Sequence, residues 1–245
     1  MTTPGNLTSP MYAHGRHRSY RNSDRITILD IADKPITAVT AIWVDGNKLV
    51  PADFDQPFTS GLNDGLGAKV TKAGSPYNDN RLYFRLFLGG QTAAAPALVS
   101  RFSTHEERPW TNAFIGSGIA YAHLLFEVDP DTYRGEPSVK FEVQGSPLYD
   151  PRKDGSRGGT GAHRLNNEAT WGYTENPKVM QYNILLGIPM GDGTTFGLDV
   201  HPDDLPLDQW VADMNTCDEI VTNRVRYRAG VDIRIGLPEY GGQTP

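Results

Sequence analysis

Three runs of strictly alternating side chains constrain this chain more than any other feature of its sequence. From Arg81 to Leu88, Leu82, Phe84, Leu86 and Leu88 share one face, while Arg81, Tyr83, Arg85 and Phe87 share the other. Beyond Gly118, Ala120, Ala122, Leu124, Phe126 and Val128 recur at the same period. Then Val139, Phe141 and Val143 alternate with Lys140, Glu142 and Gln144. Successive side chains of a strand point to opposite faces, so this pattern predicts half-buried β-strands lying on a core. The turn-rich stretch from Pro130 to Pro137 predicts that the last two runs form a hairpin. The cleanest alternation lies near the end. Val225, Tyr227, Ala229, Val231, Ile233 and Ile235 face one way, and Arg224, Arg226, Arg228 and Arg234 the other.

The turns agree with a sheet-rich fold. Asp45-Gly46 separates a strand-like run over Ile36–Val44 from a return over Asn47–Val50, and Asp-Gly tolerates the positive φ that a tight hairpin needs. Arg25 to Ile31 opens the folded region, and Leu98–Phe102 is expected to be a further strand. Residues 51–80 are rich in Pro, Gly, Asn and Asp and predict a long loop ordered by function or by a partner. Residues 1–24 are polar and lack periodicity, which predicts a flexible arm.

Two helices are marked in the second half. Asn176 and Pro177 form a cap and first turn, and Gly187 a stop. From Val179 to Leu186 only Gln181 and Asn183 are strongly polar, which predicts a helix buried nearly all round. After Pro206, Leu207, Trp210, Val211 and Met214 form an apolar stripe, with Asp208, Gln209 and Asp213 on the wet side. Between Pro151 and Thr170, GSRGGTGAHR carries no apolar pattern and predicts an exposed loop. The expected class is α+β, mainly β: antiparallel sheets in a barrel- or sandwich-like domain with a small two-helix insertion. The expected divisions are an arm over 1–24, a β-rich domain over 25–150, a loop and two helices over 151–220, and a returning strand over 221–245 that would open a further domain.

Sequence signals for chemistry are weak. His14 and His17 lack companion ligands, and His105-Glu106-Glu107 lacks the second His of a zinc-protease helix. Ser117 in IGSGI lacks the preceding glycine of a nucleophile elbow. Gly155–Gly161 has the composition of a phosphate cradle without the following Lys-Ser/Thr. Asp203, Asp204 and Asp208 read as helix-start acids. Trp171, Tyr173, Tyr182 and Trp210 read as core rather than a sugar platform, and Trp171 and Trp210 as packing anchors. Catalytic residues, metal and cofactor are therefore expected to be none. The net charge of −6 argues against general nucleic-acid binding. The lone Cys217 suits a reducing compartment. Neither a secretory leader nor a membrane span is expected. The same-sign row of Arg226 and Arg228 needs solvent or acids, and an acidic patch on a neighbouring subunit is one expectation.

The order of motifs resembles the tail hub, or tail-tip attachment, proteins of lambda-like siphophages and gene-transfer particles. It runs from WTNAFIGSGIAYAHLLFEVD at Trp110 to PSVKFEVQGSPLYDPR with Gly145, Tyr149 and Asp150. Trp171, Asn176-Pro177 and Tyr182 follow, and WVADMNTCDEIV and RVRYRAGVDI contribute Trp210, Asn215, Asp218, Arg226 and Arg228. This covers about residues 110–235. The resemblance implies a structural virion protein of a baseplate hub, typically a homotrimer assembled in the host cytoplasm. Its partners would be distal tail, tape-measure and fibre proteins, and DNA would pass through its channel unbound during genome ejection. Members usually continue into further hub domains and host-range modules. A tail-tip cell-wall hydrolase and a carbohydrate-binding receptor module are the rival expectations.

Overall fold

The computed structural model describes residues 2–4, 6–7, 12–17, 20–58, 67–78, 81–106, 108–127, 137–191 and 193–230; below residue 25 and at Glu127 only the backbone is described. The first half of the chain is built from β1 (Thr2–Pro4), β2 (Asn6–Leu7), β3 (Tyr12–His17), β4 (Tyr20–Ala32), β5 (Ala38–Val44), β6 (Asn47–Leu49), β7 (Ala68–Lys69), β8 (Leu82–Leu88), α1 (Pro96–Phe102), β9 (Ala120–Glu127) and β10 (Val139–Gln144). One sheet has the order β1-β10-β5-β6. The other has the order β2-β4-β9-β8-β7, with β3 also paired to β4. Every pairing is antiparallel.

The alternation decides what lies between the sheets. Leu82, Phe84, Leu86, Ala120, Ala122, Leu124 and Phe126 meet Val39, Ile42, Val44, Val139 and Phe141 in one buried cluster. Phe84 and Phe141 touch across the gap with ring centroids 5.7 Å apart. The first half is thus a two-layer sandwich, and no closed barrel forms among the described residues. The opposite face of the larger sheet is covered by α1, through Leu98 and Phe102 against Ile26, Ile28, Phe87, Tyr121 and Leu125.

Several local expectations need correction. β9 and β10 are not a hairpin, because β9 pairs with β4 and β8 while β10 pairs with β5 and β1. Leu98–Phe102 is helical: Pro96 starts the turn, and the i, i+4 pair Leu98 and Phe102 lies on one buried face. His123 is buried on the face beneath α1. The described parts of 51–80 are not a bare loop, since Phe54, Phe58, Val70 and Tyr77 are buried in the main cluster. The described backbone within 1–24 is strand rather than irregular arm. The Asp45-Gly46 hairpin forms as expected, with φ of 46° and 80°.

The remainder of the described chain makes a second lobe with its own interior. It contains α2 (Pro177–Leu186), β11 (Ile188–Pro189), β12 (Thr195–Phe196), α3 (Leu207–Asp218), β13 (Ile220–Val221) and β14 (Arg224–Val225). Tyr149, Val179, Tyr182 and Met214 are fully buried at its centre, ringed by partly buried Leu148, Leu165, Trp171 and Trp210. Burial of each large side chain contributes about 1.5–3 kcal/mol. Along α2 Val179, Tyr182 and Asn183 are buried, Gln181 is exposed and the others are half-buried, so the helix is covered over most of its surface but not fully enclosed. The expected strand Arg224–Ile235 is reduced to Arg224–Val225; positions 231–235 lie outside the described residues. Beyond Val225, the Arg226, Tyr227 and Ala229 amides donate to the carbonyls of Glu219, Cys217 and Glu175, so the segment folds back along the lobe.

Candidate functional site

The residues from Leu148 to Arg164 turn a polar, glycine-rich sequence into a rigid platform. Asp150 starts the first turn by accepting the Arg152 amide at 3.1 Å, and Asp154 starts the next by accepting the Ser156 amide at 2.8 Å. Gly159 is needed because a Cβ there would lie 2.4 Å from the Arg152 carbonyl oxygen. The 151–170 stretch is largely exposed, as expected, but it is ordered by short helical turns and buries Pro151, Asp154 and His163.

Asp154 is the centre of this platform. Its carboxylate accepts from Tyr149 Oη (2.8 Å), Ser156 Oγ (2.6 Å), the Ser156 amide and Arg164 (3.3 Å). Burial pushes its carboxyl up, but the bonds from Ser156 and Tyr149 and the nearby Arg164 outweigh this and hold it below the ordinary range. Burial and the same carboxylate push the Tyr149 hydroxyl well up, so it stays protonated as a donor. With four donors, the lone pairs of Asp154 are committed to the fold. His163 accepts the Asp150 amide at Nδ1 (3.1 Å), and burial followed by the charge of Lys153 pushes its imidazole down toward the neutral form.

Arg152 ties the platform to α3. It donates to both Asp150 oxygens, at 3.0 and 2.8 Å, to Asn215 Oδ1 at 3.2 Å, and pairs with Asp218 at 2.8 Å. Burial lowers its pKa, but the two aspartates more than offset this and keep the guanidinium charged. Asn183 ties the platform to α2. Its Oδ1 accepts the Tyr149 amide (2.9 Å), and its Nδ2 donates to the Tyr149 carbonyl (2.7 Å) and the Val179 carbonyl (2.8 Å). Asn176 caps α2 through the Lys178 and Val179 amides and also donates to the Met214 carbonyl at 2.8 Å.

Most predicted site residues meet in this lobe. Tyr149, Tyr182 and Trp210 pack in sequence as tilted rings, with centroids 6.4 and 5.5 Å apart. Trp171 is half-buried, 6.1 Å from Tyr149, and donates Nε1 to the Arg164 carbonyl. Trp210 is half-buried with Lys178 over its ring, so neither tryptophan is a fully enclosed anchor. Pro177 opens α2. Arg226 pairs with Glu219 at 2.6 Å and Arg228 with Glu175 at 3.1 Å, so the acids facing this arginine row come from the same chain. Gly145 lies at the edge of the lobe, its carbonyl bound by the Thr37 amide and hydroxyl. Trp110 is separate, packed on the sandwich beside Phe114 at 5.4 Å.

Sequence reasoning missed Arg152, Asp154, His163 and Asn183. Asn183 left a signal: a strongly polar residue inside an apolar helical run needs a buried partner. Among the described residues, no group of three His, Cys, Asp or Glu side chains is arranged to hold a metal. No described helix is long and apolar enough to cross a membrane.

The lobe also presents unpartnered apolar surface. Ile220, at 68% exposure, Val221 and Tyr227 stand out at the C-terminal end of α3, on and beside the β13–β14 hairpin, whose turn residues Thr222 and Asn223 both have positive φ. Such isolated two-stranded ribbons are marginal without packing. No protein-family model matches the chain, and no curated protein matches it.

Proposed function

We propose that this protein is a structural building block of a phage-type tail tip, a baseplate hub subunit that assembles as a homotrimeric ring continuing the tail tube. The observation that carries the reading is the second lobe. Tyr149, Asp150, Asn176, Asn215 and Asp218, which carry the resemblance, are tied into one unit through Asp154, Arg152 and the Met214 carbonyl, and Tyr182 packs in its apolar centre. That unit displays Ile220, Val221 and Tyr227 to solvent at its tip. Polar side chains are spent on rigidity and apolar ones are left for a neighbour, the division of labour expected of an assembly part.

The tip supplies the contact between copies, and the sandwich supplies the wall. A net charge of −6 suits a channel through which DNA slides, because phosphates are repelled rather than held. Distal tail, tape-measure and fibre proteins are the companions of such a ring in the virion.

Native mass measurement tests this reading. A species of three times the 27.0 kDa chain mass is expected at high micromolar concentration. Ile220→Glu combined with Val221→Glu is expected to return it to one chain without unfolding it. A monomer throughout, or absence from purified tail-like particles, rejects the proposal.

A further inference from the structure

We propose that the two lobes are hinged at Ser146–Pro147 and that Lys34 is the latch that holds them in one orientation. The inference is independent of the tail-tip reading.

The apolar interiors of the two lobes are separate. The sandwich cluster draws on residues from Leu29 to Val143, and the second lobe on residues from Leu148 to Met214. Among the described residues no buried apolar side chain belongs to both. The connection between them is short. Gly145 is fixed to the sandwich by Thr37, and Leu148 is fixed to the second lobe by exchanging backbone hydrogen bonds with Gly172 at 2.9 and 3.2 Å. Rotation therefore falls on Ser146 and on ψ of Pro147, since the ring fixes the φ of Pro147.

Across that joint reaches the side chain of Lys34. Lys34 leaves the β4–β5 connection and pairs with Glu168 Oε2 at 2.9 Å, and it also donates to the Pro189 carbonyl. Glu168 lies on the turn Glu168–Thr170 and Pro189 on β11, so a single ammonium grips two separate elements of the second lobe. The lysine side chain is 14% exposed although its carboxylate partner is 48% exposed. The cation is thus drawn into the interface while its counter-ion remains open to salt and to competing cations. A half-exposed pair of this kind shifts a two-state ratio by roughly fivefold or less. That is enough to bias the orientation of two lobes whose buried apolar clusters are separate, and little enough to be released.

The test is a distance measurement by electron–electron double resonance on the full chain. Nitroxides on Ser103→Cys and Gln209→Cys, both exposed positions, report one lobe each, while the buried Cys217 is left in place. One narrow distance is expected at low salt. Lys34→Ala is expected to broaden or displace it, with unchanged secondary structure by circular dichroism. Raising salt to about 1 M, where the screening length is about 3 Å, is expected to act on the unmodified Lys34 in the same direction. A distribution unaltered by Lys34→Ala, already broad at low salt, or insensitive to salt overturns the latch.

Discussion

Replacing Asn183 with alanine isolates the contact on which the second lobe depends. The side chain is 2% exposed and meets both polar groups of the Tyr149 backbone, at 2.9 and 2.7 Å. Alanine removes both partners. Tyr149 would keep a buried N–H and a buried C=O with nothing to bond, and each costs about 1–3 kcal/mol. The Val179 carbonyl loses only an additional acceptor bond within α2, so the sum is about 2–6 kcal/mol. Because the interiors of the lobes are separate, the loss should fall on the second lobe alone. Hydrogen exchange read by mass spectrometry distinguishes the cases. Peptides covering Tyr149, α2 and α3 should lose protection by the equivalent of that free energy, while those from β8 and β9 should keep theirs. Equal loss in both lobes refutes the separation of cores. A loss below about 0.5 kcal/mol, the scatter of ordinary surface changes, refutes the role given to the two backbone groups.

Other outcomes follow from the same geometry. Gly159→Ala should destabilise the platform by about 1–3 kcal/mol, because the new methyl meets backbone oxygens of Pro151 and Arg152 at 2.5 and 2.4 Å; urea unfolding followed by tryptophan fluorescence measures it. The folded-state pKa of Asp154 lies below its ordinary value of 3.8, so its contribution is fully present above that value and fades as pH falls through the lower folded one. Acid unfolding of Asp154→Asn should lack that component, and an unchanged acid limb would contradict it. Reversing Arg226 and Arg228 to Glu should cost about 1 kcal/mol or less in thermal unfolding and leave the assembled mass unchanged, because both are exposed and paired within the chain. Loss of assembly in that variant would instead reinstate an acidic patch on a neighbour.

What the sequence determined by itself was local. Alternation sorted the side chains of β8, β9 and β10 onto two faces, since a strand's side chains have only two directions to take, but not that α1 buries the second face of β9 and Phe87 of β8. Asn176, Pro177 and Gly187 marked the ends of α2, and the stripe through Trp210 and Met214 marked α3, because caps and periodicity act over one or two turns. Tertiary structure decided the partners. Alternation does not say which strand lies alongside, so β9 took β4 and β8 although β10 was nearer in sequence. Nor does it say which polar residues are interior. Arg152 becomes a half-buried tie only when α3, 63 residues away at Asn215, closes on it. Asn183 becomes a clamp only when Tyr149, 34 residues earlier, lies across α2. A hydrogen bond at such separation has no local signature, because its energy comes from removing water between segments that only the finished fold brings together.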